Sequence, residues 1–120
     1  MESDATPRPA ECLFCRIAAG SLPARVVQDD EHTIAFDDIN PVAPHHVVVI
    51  PRRHVGRASD LGAADVDLMG RLAATAQAVA RSRGLADYRL VVNCGPGAGQ
   101  TVFHLHLHLL AGRPMTWPPG

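Results

Sequence analysis

Apolar and polar residues alternate strictly from Phe103 to Leu109 within TVFHLHLHLL, Thr101 to Leu110. A period of two is the pattern of a strand with two unlike faces. It predicts that Phe103, Leu105, Leu107 and Leu109 point into a core. His104, His106 and His108 then stand in a row on the other face, which Val102 and Leu110 share. Upstream the period becomes helical. Between Gly62 and Arg83, Val66, Met69, Ala73, Ala76 and Ala80 make an apolar stripe that Leu68, Leu72 and Val79 widen. Ser59 or Asp60 is placed to cap this helix. Asp65 and Asp67 suit its start, Arg81 and Arg83 its end, and Gly84 stops it.

A shorter helix is predicted from Glu11 to Ala19, with Leu13, Phe14 and Ile17 on one face and Gly20 and Pro23 beyond its end. Strands are predicted at Arg25 to Asp29, Thr33 to Asp38, His46 to Ile50 and Tyr88 to Cys94. The third, HVVVI, is nearly all apolar, as a central strand would be. INPVAP and GPGAGQ are loops punctuated by proline and glycine. One domain is expected over residues 11–120. The first ten residues, MESDATPRPA, lack an apolar signal core and read as a disordered tail on a cytoplasmic protein.

A chain of 120 residues suits a single core, and a net charge of −1 offers no bulk grip on nucleic acid or membrane. The basic residues are 11 arginines with no lysine, which excludes a P-loop and any lysine Schiff base. Any side-chain cation that holds a phosphate here is arginine or protonated histidine. No apolar run approaches the roughly 20 residues of a membrane span.

Three readings of the histidine row are open: a polar outer face, a metal site, or nucleophilic and acid–base chemistry. His104 and His108 lie roughly 13 Å apart along a strand, so one metal could join neighbours but not all three. Cys12 and Cys15 form one C-x-x-C, which is half a zinc site or two small buried residues, and Cys94 is alone. The glycines of GPGAGQ can turn backbone N–H groups toward an anion, or simply make a loop.

Taken together, these residues resemble the histidine triad family, in particular its Hint branch of nucleotide-binding proteins. The likeness runs through CLFCRI, Leu22–Pro23–Ala24, AFDDINP, HVVVIPRRH, VVNCGPGAGQTVFHLHLHLLAGR and the closing WPPG. It implies an α+β fold of five antiparallel strands and two helices, and a homodimer whose sheets join into ten strands. It implies hydrolysis of purine nucleoside 5′-phosphoramidates to a nucleoside monophosphate and an amine, with no cofactor required. The alternatives are a nucleotide-binding scaffold with incidental turnover, or a dinucleoside polyphosphate hydrolase.

By position, His106 matches the nucleophile, His108 the contact to phosphate and leaving group, and His104 an orienting residue, with His46 also lining the site. Asp38 matches the ribose ligand. Asn93, Gly99 and Thr101 match the phosphate binders, within a GQTV run that includes Gln100. Phe14, Ile17, Leu22, Phe36 and Ile39 match the base pocket. Trp117 belongs to a tail expected to reach toward the partner's site. Some bacterial relatives hold structural zinc with two cysteines and two histidines, which map to Cys12, Cys15, His54 and His104.

Overall fold

A computed structural model describes residues 11–120. The tail expected at residues 1–10 lies outside the described residues. In chain order the elements are α1 (Leu13–Ala18), β1 (Val26–Asp29), β2 (Thr33–Asp37), β3 (His45–Pro51), α2 (Val66–Ser82), β4 (Arg89–Val91) and β5 (Leu107–Ala111). The strands form one antiparallel sheet in the order β1-β2-β3-β5-β4. This is the expected α+β architecture of five strands and two helices.

Alternation along β3 divides the core in two. Val47 and Val49 face α2 together with Ala35, Leu107, Leu109 and Ala111, where Leu72, Ala76, Val79 and Ala80 of the helix meet them. Val48 and Ile50 face the other way with Ile34 and Phe36, against Cys12, Phe14 and Ile17 of the α1 segment. His108 pairs with Val48 and Leu110 with His46, so all four belong to this second face. Among the described residues no helix is long and apolar enough to cross a membrane.

Several boundaries differ from the sequence reading. The long helix begins at Val66, after a 3-10 turn at Ala63–Asp65, and neither Ser59 nor Asp60 caps it. Val66 is 71% exposed, and the buried stripe is centred on Leu72, Thr75, Ala76 and Val79. The hydroxyl of Thr75 lies 2.6 Å from that of Thr33, which satisfies both inside the core. Gly84, at φ +67°, closes the helix as expected, with Leu85 N–H donating to the Ala80 carbonyl.

The histidine strand is shorter than its alternation predicts. It starts at Leu107, and residues 101–106 leave the sheet. Continued in the same register, Ile50 would face His106 and Pro51 would face Leu105, and Pro51 has no N–H to offer that ladder. The chain turns away instead, and Leu105 N–H bonds to the Val55 carbonyl at 2.6 Å. Leu105, Leu107 and Leu109 still fill the α2 core, but Phe103 does not. Its ring is partly exposed, with the Arg57 guanidinium 5.2 Å above it. β4 is likewise trimmed to Arg89–Val91.

Candidate active site

Because the chain leaves the sheet between His106 and Leu107, the three histidines do not stand in one row. His106 and His108 meet edge to face with ring centroids 4.9 Å apart. The His104 ring is fully buried and turns toward Cys12, Cys15 and His54. His46, at the start of β3, packs against His108 on the opposite side from His106, with centroids at 5.1 Å.

One backbone group or neighbouring ring fixes the tautomer of each of these rings. A carbonyl only accepts and an amide N–H only donates, so the partner identifies the proton. His104 Nε2–H donates to the Pro51 carbonyl at 2.8 Å. His106 Nδ1–H donates to the His104 carbonyl at 2.8 Å, which leaves an unprotonated Nε2. His46 Nδ1 accepts from Val42 N–H at 3.1 Å, so its proton is on Nε2. That proton points to His108 Nδ1 at 2.9 Å, and His108 therefore carries its own proton on Nε2. Neutral rings are what the environment favours. Burial holds His108 down to about 4 and His104 to about 4. It also holds His106 and His46 below the ordinary histidine value.

Around this pair the other expected residues divide. Phe14, Ile17 and Phe36 are buried and Leu22 packs beside them, with the Phe14 ring edge-on to His106 at 5.1 Å. Ile39, assigned to the same pocket, is instead 90% exposed at the loop tip. Asp38 accepts from Asn40 N–H at 2.8 Å through Oδ1, while Oδ2 stands 3.4 Å from His46 Nε2. Asn93 and His108 line a cavity of about 210 Å³ with Val42, His46, Val91 and Leu110. A larger cavity of about 650 Å³, between residues 84–89 and 112–115, holds none of the histidines. The smaller cavity is lined by His46 and His108 but not by His106, so it covers one part of the candidate site.

Gly99, at φ +95°, brings the loop close to the Asn93 amide, which would stand 3.8 Å from a Cβ placed there. Thr101 is exposed beside it. The Gln100 side chain is buried and fully engaged: its amide donates to the Gly56 and Val102 carbonyls and its oxygen accepts from Gly95 N–H. Its side chain therefore shapes the glycine loop. Trp117 is 82% exposed. Sequence reasoning did not find the Val42 N–H or the Pro51 carbonyl, because backbone groups carry no sequence signal. Position in the resemblance, not periodicity, pointed to His46.

The second cluster could hold a metal ion. Cys12 Sγ, Cys15 Sγ, His54 Nδ1 and His104 Nδ1 all lie within 4.8 Å of one another. The two ring nitrogens are 3.3 Å apart, and the Cys12–His104, Cys15–His54 and Cys15–His104 nitrogen–sulfur separations are 3.2–3.4 Å. A tetrahedral zinc with ordinary bond lengths requires edges of about 3.3 Å between nitrogens and about 3.5 Å from nitrogen to sulfur. The residues fit the ion. The Pro51 carbonyl already turns the bare Nδ1 of His104 toward the cluster, as outer partners of metal ligands do. His54 Nε2 is buried with no hydrogen-bond partner among the described residues. Without metal, burial and the neighbouring Cys12 push the Cys15 thiol up to about 12.

The HIT domain profile matches residues 19–115. Adenylylsulfatase HINT1 of Arabidopsis thaliana is 41% identical over 119 residues, covering 97% of this chain and 81% of its own. A 14 kDa zinc-binding protein of Zea mays is 43% identical over 111 residues, covering 90% and 87%. A solved HIT family hydrolase from Legionella pneumophila superposes with a TM-score of 0.89 at 47% identity, covering 92% of this chain and all of that one.

Proposed function

This chain belongs to the HIT family and has its hydrolase fold, and from that premise we propose that it hydrolyses purine nucleoside 5′-phosphoramidates through a nucleotidyl-His106 intermediate. The observation that carries this reading is the 2.8 Å bond from His106 Nδ1–H to the His104 carbonyl. It commits the lone pair to Nε2, the nitrogen that must attack.

The reaction follows from the four tautomers. His106 Nε2 attacks the α-phosphorus, and the bond from phosphorus to the leaving amine breaks. The imidazole becomes cationic on bonding phosphorus, and the His104 carbonyl holds its Nδ1–H throughout. His108 Nε2–H donates a hydrogen bond to the leaving nitrogen as that nitrogen takes up a proton from solvent and departs as the amine. Water then attacks phosphorus and gives its proton to solvent, and cleavage of the phosphorus–nitrogen bond to His106 frees the nucleotide. Asn93 and the loop at Gly99 and Thr101 meet the phosphoryl oxygens, where developing charge needs fixed donors. Asp38 accepts from the ribose diol, and Phe14, Ile17, Leu22 and Phe36 form an apolar slot for the base. The name of the Arabidopsis relative supports chemistry at an adenylyl phosphorus.

We also propose that zinc occupies Cys12, Cys15, His54 and His104, as a closed structural site without an open coordination position. The donor spacing and the name of the maize relative support this. The protein is further proposed to be a homodimer joined edge to edge. β4 is an edge strand with Leu90 39% exposed. Turnover of adenosine 5′-phosphoramidate to AMP and ammonia tests the reaction. Binding of AMP without turnover would favour a scaffold instead.

A further inference from the structure

The loop that sets the His46 tautomer is held from outside the site. Val42 presents its N–H to His46 Nδ1 at 3.1 Å, and its carbonyl accepts from Arg113 Nε at 3.0 Å. The same guanidinium donates through Nη1 to the Pro114 carbonyl at 3.2 Å and approaches Met115 Sδ at 3.5 Å, which fixes its own direction. Gly112, the residue before it, sits at φ +97° directly against the loop. A Cβ there would lie 2.8 Å from Pro44 Cβ and 3.3 Å from His45 Cδ2. Two neighbouring residues past the end of β5 therefore grip residues 42–45, one by a hydrogen bond and one by close approach. Neither touches a histidine of the site.

We propose that Arg113, with Gly112, is a positioning residue that holds Val42 by its carbonyl, keeps the N–H on the other side of the Val42 Cα aimed at His46, and thereby fixes His46, and through it His108, in the tautomers that present a proton to the leaving group. The chain of contacts is continuous: Arg113 to Val42, Val42 to His46, His46 to His108. If Val42 shifts once its carbonyl is released, its N–H moves off His46 Nδ1 and the ring is free to carry its proton there. His108 Nδ1 then loses its donor in turn, and its Nε2 no longer holds the proton securely. The expected defect is narrow. It concerns the hydrogen bond to the leaving nitrogen and leaves nucleophile, base slot and ribose ligand intact. This inference rests on the proposed reaction for its kinetic consequence, but not for the tautomer chain itself.

The test compares Arg113→Met, Arg113→Lys and Gly112→Ala on two substrates. An alkylamine phosphoramidate of AMP needs a proton to release its amine, whereas the p-nitrophenyl ester of AMP does not. Arg113→Met should lower kcat on the amine substrate about tenfold, a fraction of the 10²–10⁴ that a general acid supplies. KM and the rate on the ester should change less than about twofold, and Arg113→Lys should restore part of the loss by keeping a donor. Gly112→Ala should show the same selectivity more strongly. In a His108→Ala background Arg113→Met should cost nothing more, because the donor it positions is gone. Equal losses on both substrates, no loss at all, or a full additional loss without His108 would overturn the proposal. Nitrogen-15 chemical shifts of the imidazoles provide the arm independent of activity. His46 and His108 should be Nε2–H tautomers in the wild type and mixed in Arg113→Met. Unchanged tautomers would overturn the inference even if activity falls. Shifted tautomers in a protein that turns over neither substrate would uphold it and reject the reaction.

Discussion

The ring of His106 is hydrogen-bonded to the backbone of His104, Nδ1–H to carbonyl at 2.8 Å, while the ring of His104 faces away toward two cysteines. One residue thus serves two centres. Its carbonyl orients the candidate nucleophile, and its imidazole completes the candidate metal set. The consequences for metal, pH, sugar and assembly can each be measured.

Protein prepared without chelator should contain about one zinc per chain, and Cys15→Ser should lose it. Removing zinc should lower the melting temperature by several degrees, as expected when a ligand that binds only the folded state is withdrawn. kcat should fall with it, because His104 carries both centres. Wild-type protein with no metal by elemental analysis, and no thermal shift on adding zinc, would contradict this assignment.

Activity should persist well into mildly acidic pH. Burial holds His106 below the ordinary histidine value of about 6.5, so it keeps its lone pair where a free imidazole would be protonated. The acid limb of kcat/KM on the p-nitrophenyl ester should therefore lie below pH 6.5, and a limb at or above that value would contradict the geometry. Stability should show the same sign. His108 is depressed to about 4 in the fold, mainly by burial. Between that value and about 6.5 the unfolded chain binds more protons. The contribution is complete above pH 6.5 and declines as pH falls toward 4, which a series of melting temperatures would show. His108→Ala should flatten that decline.

Asp38→Asn should weaken AMP binding about tenfold, the scale of one charge-assisted hydrogen bond. Asparagine keeps an oxygen for Asn40 N–H, so the turn and the fold should survive. Calorimetry with AMP and with 2′,3′-dideoxy-AMP checks this. Equal affinity of the variant for AMP would reject ribose recognition, whereas loss of the thermal transition would make Asp38 structural.

Deleting residues 116–120 should change preference among leaving groups more than it changes AMP affinity. Trp117 is 82% exposed on a short chain, as suits a side chain waiting for a neighbour. Sedimentation at micromolar concentration should show a dimer. A monomer, or unchanged substrate preference after the deletion, would reject the assembly.

Sequence pattern placed the long helix and the central strand well, since α2 is amphipathic and β3 almost wholly apolar, while the five-stranded α+β fold came from the family resemblance. It misplaced Phe103 and the start of β5 because alternation continues past the point where pairing stops. That point is set by the missing N–H of Pro51 on the neighbouring strand, and register is not visible from one strand alone. Outside the sheet, alternation no longer fixes side-chain direction, and the His104 ring turns to the cysteines although strict spacing had placed it in one row with His106 and His108. Gln100 was expected to be a ligand residue because it sits in the GQTV run, which resembles a phosphate-binding motif. Its three hydrogen bonds are all internal. The tautomer of each imidazole depends on backbone groups of Pro51, His104 and Val42, which no side-chain pattern encodes.

The central claim is a covalent bond between His106 Nε2 and the α-phosphorus. The most direct measurement is a rapid acid-free quench with labelled adenosine phosphoramidate, followed by peptide mapping. A nucleotide stable to alkali and labile to acid should appear on His106. His106→Ala should bind AMP but neither form the adduct nor turn over, whereas His108→Ala should form it slowly. An adduct mapped to His104 or His108, or near-normal turnover by His106→Ala, would contradict the account.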